Sequence, residues 1–427
     1  MFARTPARVF RDGLRSYTRA RLLGDASAGL TVAALVLPLS LGLAVTAGLP
    51  PEQGLYSSIL PLLAFALIAS SRRTMIGPDA SVTALIVASV VPLAAGESAV
   101  VLSNLVAALA IAAGLVCIAS AALGAGRLAS LLNESSLIGY LAGLAIVVGI
   151  AQLPRITQLA TESERTLAIL YDVITKLASA SGWGVLLASG TILLVTVARA
   201  RTPAFPWLLL AIGLATLVSE TAGLPDRGIA TIGALPSGLP ALGLPDVTIA
   251  DTLRLLPIAL AVACVTFADT MATTSGFAAR HHEPVAPGRD LAALGAANVA
   301  AGLAGGMPVS ASGARTAAAE AAGGSSQVAG AFAAAAVAVV LLGGGEVLSM
   351  LPRAALGGVG GAAVIPMVDV QSLARLRRLE RGHFVGAIVV TAGVVAIGVL
   401  EGIVVAFVVS IIDRVARARS QRPSRRP

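Results

Sequence analysis

The 427-residue chain is 56% hydrophobic and only 12% charged, and its mean hydropathy is +0.89. Soluble domains carry about a quarter of their residues as charges, so this composition excludes a soluble protein and predicts one embedded in the lipid bilayer. The net charge of +8 does not indicate nucleic-acid binding, because the arginines lie beside hydrophobic segments, where membrane topology places them.

The N-terminal region, residues 1–24, is basic and precedes the first hydrophobic span. Its six arginines place the N-terminus in the cytoplasm, and they are Arg4, Arg8, Arg11, Arg15, Arg19 and Arg21. The first span is predicted at residues 25–46, bent or broken at Pro38 and Gly42. A turn at residues 48–51 then leads into a second span at residues 54–70.

The third element is predicted to be short. It follows Arg72-Arg73, reads Ile76-Gly77-Pro78-Asp79-Ala80-Ser81 at its start, and stops at Val91-Pro92, which is about half a bilayer. Asp79 is expected to be its N-cap, where a carboxylate would repel an anion rather than bind it.

The remaining spans bring the total to about fourteen. Residues 162–165 open a surface helix, and residues 222–250 separate two halves of one transmembrane domain, residues 25–416, followed by a basic tail, residues 417–427. Arginines are concentrated in the connections assigned to the inside, so both termini are predicted in the cytoplasm of a multi-pass inner-membrane protein. The spans after the third are predicted at residues 100–123, 132–152, 183–198, 203–221, 253–277, 291–305, 311–322, 327–342, 354–368, 385–399 and 401–412.

A second short helix is predicted from Ala311 to Ala322, inside the sequence G-M-P-V-S-A-S-G-A-R-T-A-A-A-E-A-A-G-G. It would be ~18 Å long against a hydrocarbon core of roughly 30 Å. Interrupted helices of this kind mark substrate sites in transporters. The first turn, formed by Ser310, Ala311, Ser312 and Gly313, leaves N–H groups open to an anion.

The two short elements resemble each other and lie about half a chain apart. Pro78-Asp79-Ala80-Ser81 matches Pro308-Val309-Ser310-Ala311-Ser312 weakly. An odd number of spans between repeats inverts the second one, so the two helix N-termini are predicted to face each other near the midplane.

Ionisable residues inside predicted spans are functional candidates. Asp269 shares a polar helical face with Thr266, Thr270 and Thr273, which suits a site for a proton or Na⁺, although a structural hydrogen-bonding role stays open. Arg315 either adds positive charge near the anion or forms a salt bridge with Asp79, Asp269 or Glu320, and Glu320 simply reaches water. The cysteines and histidines lack the spacing of metal ligands, so neither a metal site nor an organic cofactor is predicted.

Six segments of the chain resemble the sulfate permease (SulP) family of anion transporters. They are A-G-L-T-V-A-A-L-V-L-P, G-L-P-P-E-Q-G-L-Y-S-S, I-G-P-D-A, F-A-D-T, A-L-G-A-A-N-V-A-A-G-L and P-V-S-A-S-G-A-R-T. The resemblance implies a uracil-permease-like, all-α membrane fold of seven plus seven inverted spans. Spans 1–4 and 8–11 would form a transport core, and spans 5–7 and 12–14 a gate.

The resemblance also implies where the substrate binds. The anion would meet backbone amides around Ala80, Ser81, Ala311 and Ser312, with Asp269 and Thr273 binding the coupling ion. The chain departs from the family pattern at Leu39, where many members have glutamine, and at Gly313-Ala314, which widens the pocket. A STAS domain usually follows the last span. This chain stops at Pro427, as either a shortened chain or a member without that domain.

The predicted function is secondary active transport of a small anion, of the sulfate, bicarbonate or dicarboxylate class, coupled to H⁺ or Na⁺ through an elevator motion. A homodimer is expected. The alternatives are a passive anion channel or uncoupled exchanger and, on the same fold, a nucleobase permease. An intramembrane enzyme is not expected, because no nucleophile–base pair, H-E-x-x-H motif or Gly-rich nucleotide loop is present.

Overall fold

The computed structural model describes residues 18–124, 134–159, 161, 166–201, 207–233, 238–365, 370–379, 381–398, 402, 404–406 and 408–413. The predicted tail at 417–427 and the predicted helix start at 162–165 lie outside these residues. So does most of the basic segment 1–24. Its described end already belongs to the first helix, which begins at Arg19 with Thr18 as N-cap rather than at residue 25.

The first half of the described chain is helical apart from one very short strand, β1, at Ile76–Gly77. After α4 the chain continues through a π turn, Ile86–Val90, and a 3₁₀ turn, Val91–Ala94. The helices are α1 (Arg19–Thr46), α2 (Pro51–Tyr56), α3 (Leu60–Ile68), α4 (Ala80–Leu85), α5 (Ala99–Ala122), α6 (Glu134–Thr157), α7 (Thr166–Thr175), α8 (Gly182–Arg201) and α9 (Trp207–Thr221).

The second half contains the partner strand β2 at Ser310–Ala311. The described residues between 402 and 413 are also helical. The helices are α10 (Ile249–His281), α11 (Pro287–Leu303), α12 (Gly313–Ala321), α13 (Val328–Gly343), α14 (Gly345–Ser349), α15 (Arg353–Val364), α16 (Val370–Leu379) and α17 (Arg381–Ala396).

Four helices of the described part are long and apolar enough to cross a membrane by themselves. They are α1, α5, most of α6 and most of α10. The other apolar helices of the described part are shorter, and so is α12, whose nine residues extend about 14 Å. The short elements predicted near Ser81 and Ser312 are therefore confirmed as partial spans.

The predicted shapes of the first two spans are partly wrong. α1 runs through Pro38 without interruption, so the predicted break is wrong, whereas a bend there stays a prediction. The predicted second span is instead broken into α2 and α3, with Pro61 in the first turn of α3. A proline fits the first turn of a helix, where its missing N–H leaves no helical hydrogen bond unmade, so Pro61 suits the start of α3 after the break at residues 57–59.

Glycines allow the long helices to approach closely. Where α5 crosses α11, a Cβ atom placed on Gly114 would lie only 2.6 Å from the Gly295 carbonyl oxygen, and one on Gly302 only 2.4 Å from that of Ala107. These contacts leave no room for a side chain. α1 packs against α13 and α15, while α6 packs against α15 and α17.

Candidate functional site

Two short strands meet where the two partial spans begin. β1 and β2 pair in antiparallel orientation, with Ile76 opposite Ala311 and Gly77 opposite Ser310. The all-α prediction did not include this strand pair. Extended backbone inside a membrane protein needs hydrogen-bond partners, and the two strands provide them for each other. The strand pair brings the starts of α4 and α12 together, as the inverted-repeat argument predicts.

Side chains from other helices hold this crossing, the strand pair β1–β2, in place. Asn298 of α11 accepts a hydrogen bond from the Val309 N–H (2.9 Å) and donates one to the Val309 carbonyl (3.1 Å). The hydroxyl of Ser57, in the break between α2 and α3, accepts from the Met307 N–H at 2.7 Å. The sequence analysis did not single out either residue, although an asparagine inside an apolar helix was a usable signal.

The two helix starts differ in their N-caps. At α4, the Asp79 carboxylate accepts from the Ser81 N–H at 3.2 Å, which confirms the predicted capping role. At α12, the cap is the neutral hydroxyl of Ser312, which lies 3.5 Å from the Arg315 N–H. A carboxylate offsets the partial positive charge of a helix N-terminus, whereas a hydroxyl leaves most of it unbalanced.

Only the α12 start is open. Ala80 and Ser81 are buried, with 5% and 2% of their surface exposed. Ser312 is partly exposed and Gly313 is exposed, and a Cβ atom placed on Gly313 would have no neighbour within 4 Å. The first turn of α12 therefore borders open space in which an anion can approach the backbone.

Most of the amides expected to bind the anion are engaged within the protein. Besides the Ser81 N–H, the Ala311 N–H lies 3.4 Å from the Thr270 hydroxyl oxygen, and the Ser312 N–H donates to the Met75 carbonyl at 3.1 Å. These contacts occupy the N–H groups of Ser81, Ala311 and Ser312, whose role as amide donors to the anion stays a prediction. The available donors begin one residue later, at Gly313, because first-turn N–H groups have no acceptor within their own helix.

Asp269 lies beside the start of α4. The Ser81 hydroxyl is 2.9 Å from Asp269 Oδ2 and 3.1 Å from Asp79 Oδ1. A hydroxyl has one proton, so Ser81 donates to one carboxylate at a time. The structure thus places two carboxyl groups around a single hydroxyl, and the Asp269 side chain remains partly exposed.

The polar face of α10 lies along the strand pair. Besides the contact of Thr270 with Ala311, the hydroxyls of Thr274 and Thr74 are 3.0 Å apart. Thr266 instead bonds to the carbonyl of Ala263 in its own helix. Thr273, the predicted partner of Asp269, is only partly buried. The sequence analysis did not single out Thr274, whose hydroxyl contacts Thr74.

Arg315 is almost completely buried, with 1% of its surface exposed. Its guanidinium donates to the carbonyls of Pro78 (2.5 Å), Gly77 (3.1 Å) and Ser310 (3.1 Å), and it lies 3.9 Å from Asp79 Oδ2. Of the predicted salt-bridge partners, Asp79 is therefore the one it approaches. Arg315 joins both strands of the crossing, and within the described residues its Nε–H has no hydrogen-bond partner.

The other ionisable candidates lie away from this crossing. Glu320 contacts His281 at the end of α10 rather than only water, and His383 of α17 contacts Asp413. His281 and His383 both belong to helices. Among the described residues, no group of three potential metal ligands is found, and Cys117 and Cys264 are free thiols.

Comparisons with known proteins match nearly the whole chain. A family model described as "Sulfate permease family" matches residues 22–391. "Probable sulfate transporter MT1781" of Mycobacterium tuberculosis is 37% identical over 404 residues, covering 94% of this chain and 72% of that protein. Human "Solute carrier family 26 member 6" is 28% identical, covering 93% of this chain and 55% of its own length.

Solved structures show the same fold. The murine anion transporter Slc26a9 aligns with a TM-score of 0.88 at 20% identity, covering 98% of this chain and 73% of that one. The transmembrane domain of the cyanobacterial bicarbonate transporter BicA aligns with a TM-score of 0.80 at 22% identity, covering 90% and 98%. The fold is thus the seven-plus-seven inverted repeat of these domains, as predicted.

Proposed function

Because this chain belongs to the sulfate permease family, we propose that it moves a small anion across the membrane by secondary active transport. The relatives named above are transporters rather than enzymes, and the chain is a multi-pass membrane protein of the same kind. Family membership alone does not define the anion class, the coupling ion or the motion.

The open start of α12 is the observation that carries the proposal. There the N-terminal turn has a neutral cap, Ser312, an unshielded glycine, Gly313, and the buried cation Arg315 close behind it. A helix N-terminus with free N–H groups binds anions through directed hydrogen bonds and its partial positive charge. Ser310 and Ala80 are buried and do not face the open space.

The substrate is a small inorganic or carboxylic anion. The names of the relatives support sulfate and bicarbonate as the first candidates. Purified protein should be thermally stabilised by its substrate in proportion to binding, so a panel of sulfate, bicarbonate and dicarboxylates identifies the class. If uncharged nucleobases stabilise the protein and no anion does, the proposal is wrong.

Asp269 is the proposed coupling residue, with H⁺ or Na⁺ as its ion. A lone carboxylate at the bilayer centre costs at least ~2.5 kcal/mol, and an aspartate that alternates between charged and neutralised states avoids this cost while the core moves. Its partial exposure and its neighbours Ser81 and Asp79 support that role. Thr273 lies one turn further along α10 and is proposed to assist it.

Asp269→Asn tests the coupling because it keeps the side-chain shape and removes the charge change. In proteoliposomes the variant should exchange anion across the membrane but fail to concentrate it under an imposed pH or Na⁺ gradient. Asp251→Asn makes the same change in the first turn of α10 and should concentrate anion normally. Concentration by Asp269→Asn at the parent rate would favour an uncoupled exchanger or channel.

We also propose an elevator motion, a homodimer and a cytoplasmic location of both termini. The arginine distribution supports the orientation. With Cys117 and Cys264 replaced, a cysteine at Arg72 should react with an impermeant thiol reagent in inside-out vesicles and resist it in intact cells. Labelling in intact cells would overturn this orientation.

A further inference from the structure

α16 is a basic helix that packs against α6 and α17, and the transport proposal does not use it. The sequence from Arg375 to Arg381 holds four arginines and one glutamate. The side chains of Arg377 and Arg378 are exposed. Leu376, only 6% exposed, belongs to one buried cluster with Ile138 of α6 and Ala387 of α17, so the helix is anchored on its apolar side.

The next helix continues from this basic end as an exposed apolar stripe. Arg381 begins α17, and the residues four, seven and eight positions later are the exposed Val385 (59%), Ile388 (47%) and Val389 (48%). This spacing places them on the same helical face as Arg381. In a membrane protein, an exposed apolar stripe faces lipid acyl chains, so the arginines lie where that stripe ends.

We propose that an anionic phospholipid of the cytoplasmic leaflet binds here. Its headgroup phosphate would contact Arg377, Arg378 and Arg381, and its acyl chains would lie along Val385, Ile388 and Val389. Guanidinium groups bind phosphate through paired hydrogen bonds, and basic residues at this leaflet attract anionic lipid. A soluble anion would use the arginines alone, whereas the adjoining apolar stripe matches a lipid.

One acidic group lies near the start of α17, since Asp413 is 2.9 Å from His383. Counted with Glu380 against the four arginines from Arg375 to Arg381, it leaves the net charge positive. Since α16 packs on both α6 and α17, a lipid bound here would hold this pair of helices at a defined depth in the leaflet. The inference concerns a surface separate from the anion site, and its assignment to the cytoplasmic leaflet rests on the proposed orientation.

The test compares nanodiscs of phosphatidylcholine alone with nanodiscs that also contain phosphatidylglycerol. The anionic lipid should raise the thermal midpoint of the parent, and this rise should shrink as salt is added. R377Q/R378Q should weaken the lipid affinity roughly 25-fold, from about 5-fold per arginine. R227Q/R254Q removes two exposed arginines elsewhere and should keep the full rise.

Two further readouts complete the experiment. Native mass spectrometry of the parent should retain phosphatidylglycerol in preference to phosphatidylcholine, which does not require the variant to fold. Glycerol phosphate, the headgroup chemistry without acyl chains, should not raise the midpoint in phosphatidylcholine nanodiscs. The proposal is overturned if the parent shows no preference, if R377Q/R378Q keeps it, or if glycerol phosphate reproduces the effect.

Discussion

The starts of α4 and α12 share a backbone arrangement but differ in what balances their charge. Each follows one strand of the same antiparallel pair, and each has an extended N-cap residue. At α4 the cap is the carboxylate of Asp79 and the first turn is buried. At α12 the cap is Ser312 and the first turn is open. The comparison indicates that an inverted repeat need not produce two equivalent half-sites.

The difference also suggests that the two helix starts have different roles. In the proposed function, α12 would offer donors to the anion, whereas α4 presents Ser81 to Asp269, the proposed coupling residue. Arg315 reaches from α12 to the carbonyls before α4, so it joins the two starts mechanically. A change at one start should therefore affect anion binding and a change at the other should affect coupling, unless the change breaks the link between them.

Removing the link should have the largest effect. Arg315→Met keeps much of the side-chain length but leaves the carbonyls of Gly77, Pro78 and Ser310 without this donor, at ~1–3 kcal/mol for each buried unsatisfied group. We expect loss of monodisperse protein on size exclusion, with Arg315→Lys intermediate because it keeps the charge and loses the planar fork. A well-folded Arg315→Met that only loses anion binding would instead assign Arg315 to the ligand.

Blocking the open start should have the next largest effect. Ser312→Leu fills the space beside Gly313 and should lower anion affinity more than ~10-fold, or at least about 1.4 kcal/mol, while the protein stays folded. Ser81→Ala at the closed start should change affinity less than about threefold. Isothermal titration or thermal shift measures both. Equal losses in the two variants would show that both starts bind the anion.

Changing the charge of either N-cap should change the anion affinity moderately, and in opposite directions for the two helices. Asp79→Asn keeps a capping oxygen and removes a negative charge, so anion affinity should rise by about two- to fivefold, corresponding to a helix-dipole interaction of ~0.3–1 kcal/mol. Ser312→Asp places a charge at the open start and should lower affinity. Both effects should weaken at high salt, and unchanged affinity in both variants would contradict the electrostatic argument.

The smallest expected effect concerns the threonines of α10. Thr274→Val removes the hydrogen bond to Thr74 next to β1 and should lower stability by about 1 kcal/mol. Thr273→Val makes the same substitution one residue away on a partly exposed position and should leave the thermal midpoint within error. If Thr273→Val is the more destabilising variant, the hydroxyl contacts described above do not support the strand pair.

The two repeats also show what a local sequence comparison identifies correctly and what it does not. The match that aligns Pro78 with Pro308 finds the right two regions but the wrong equivalence. The residues in the same structural role are the caps Asp79 and Ser312, and Pro308 precedes β2 whereas Pro78 follows β1. Each proline only constrains its own backbone, whereas the equivalence depends on which strands pair.

The sequence by itself determined the membrane location, most of the spans, both short helices, the Asp79 cap and the polar face around Asp269, because hydrophobic runs and helix caps are local signals. The tertiary structure decided which donors remain available. The acceptor for the Ser312 N–H is Met75 and the partner of Asp269 is Ser81, each from the other half of the chain. Such pairings depend on how packed helices position distant polar groups, so no local pattern could place the open donors at Gly313 rather than at Ser312.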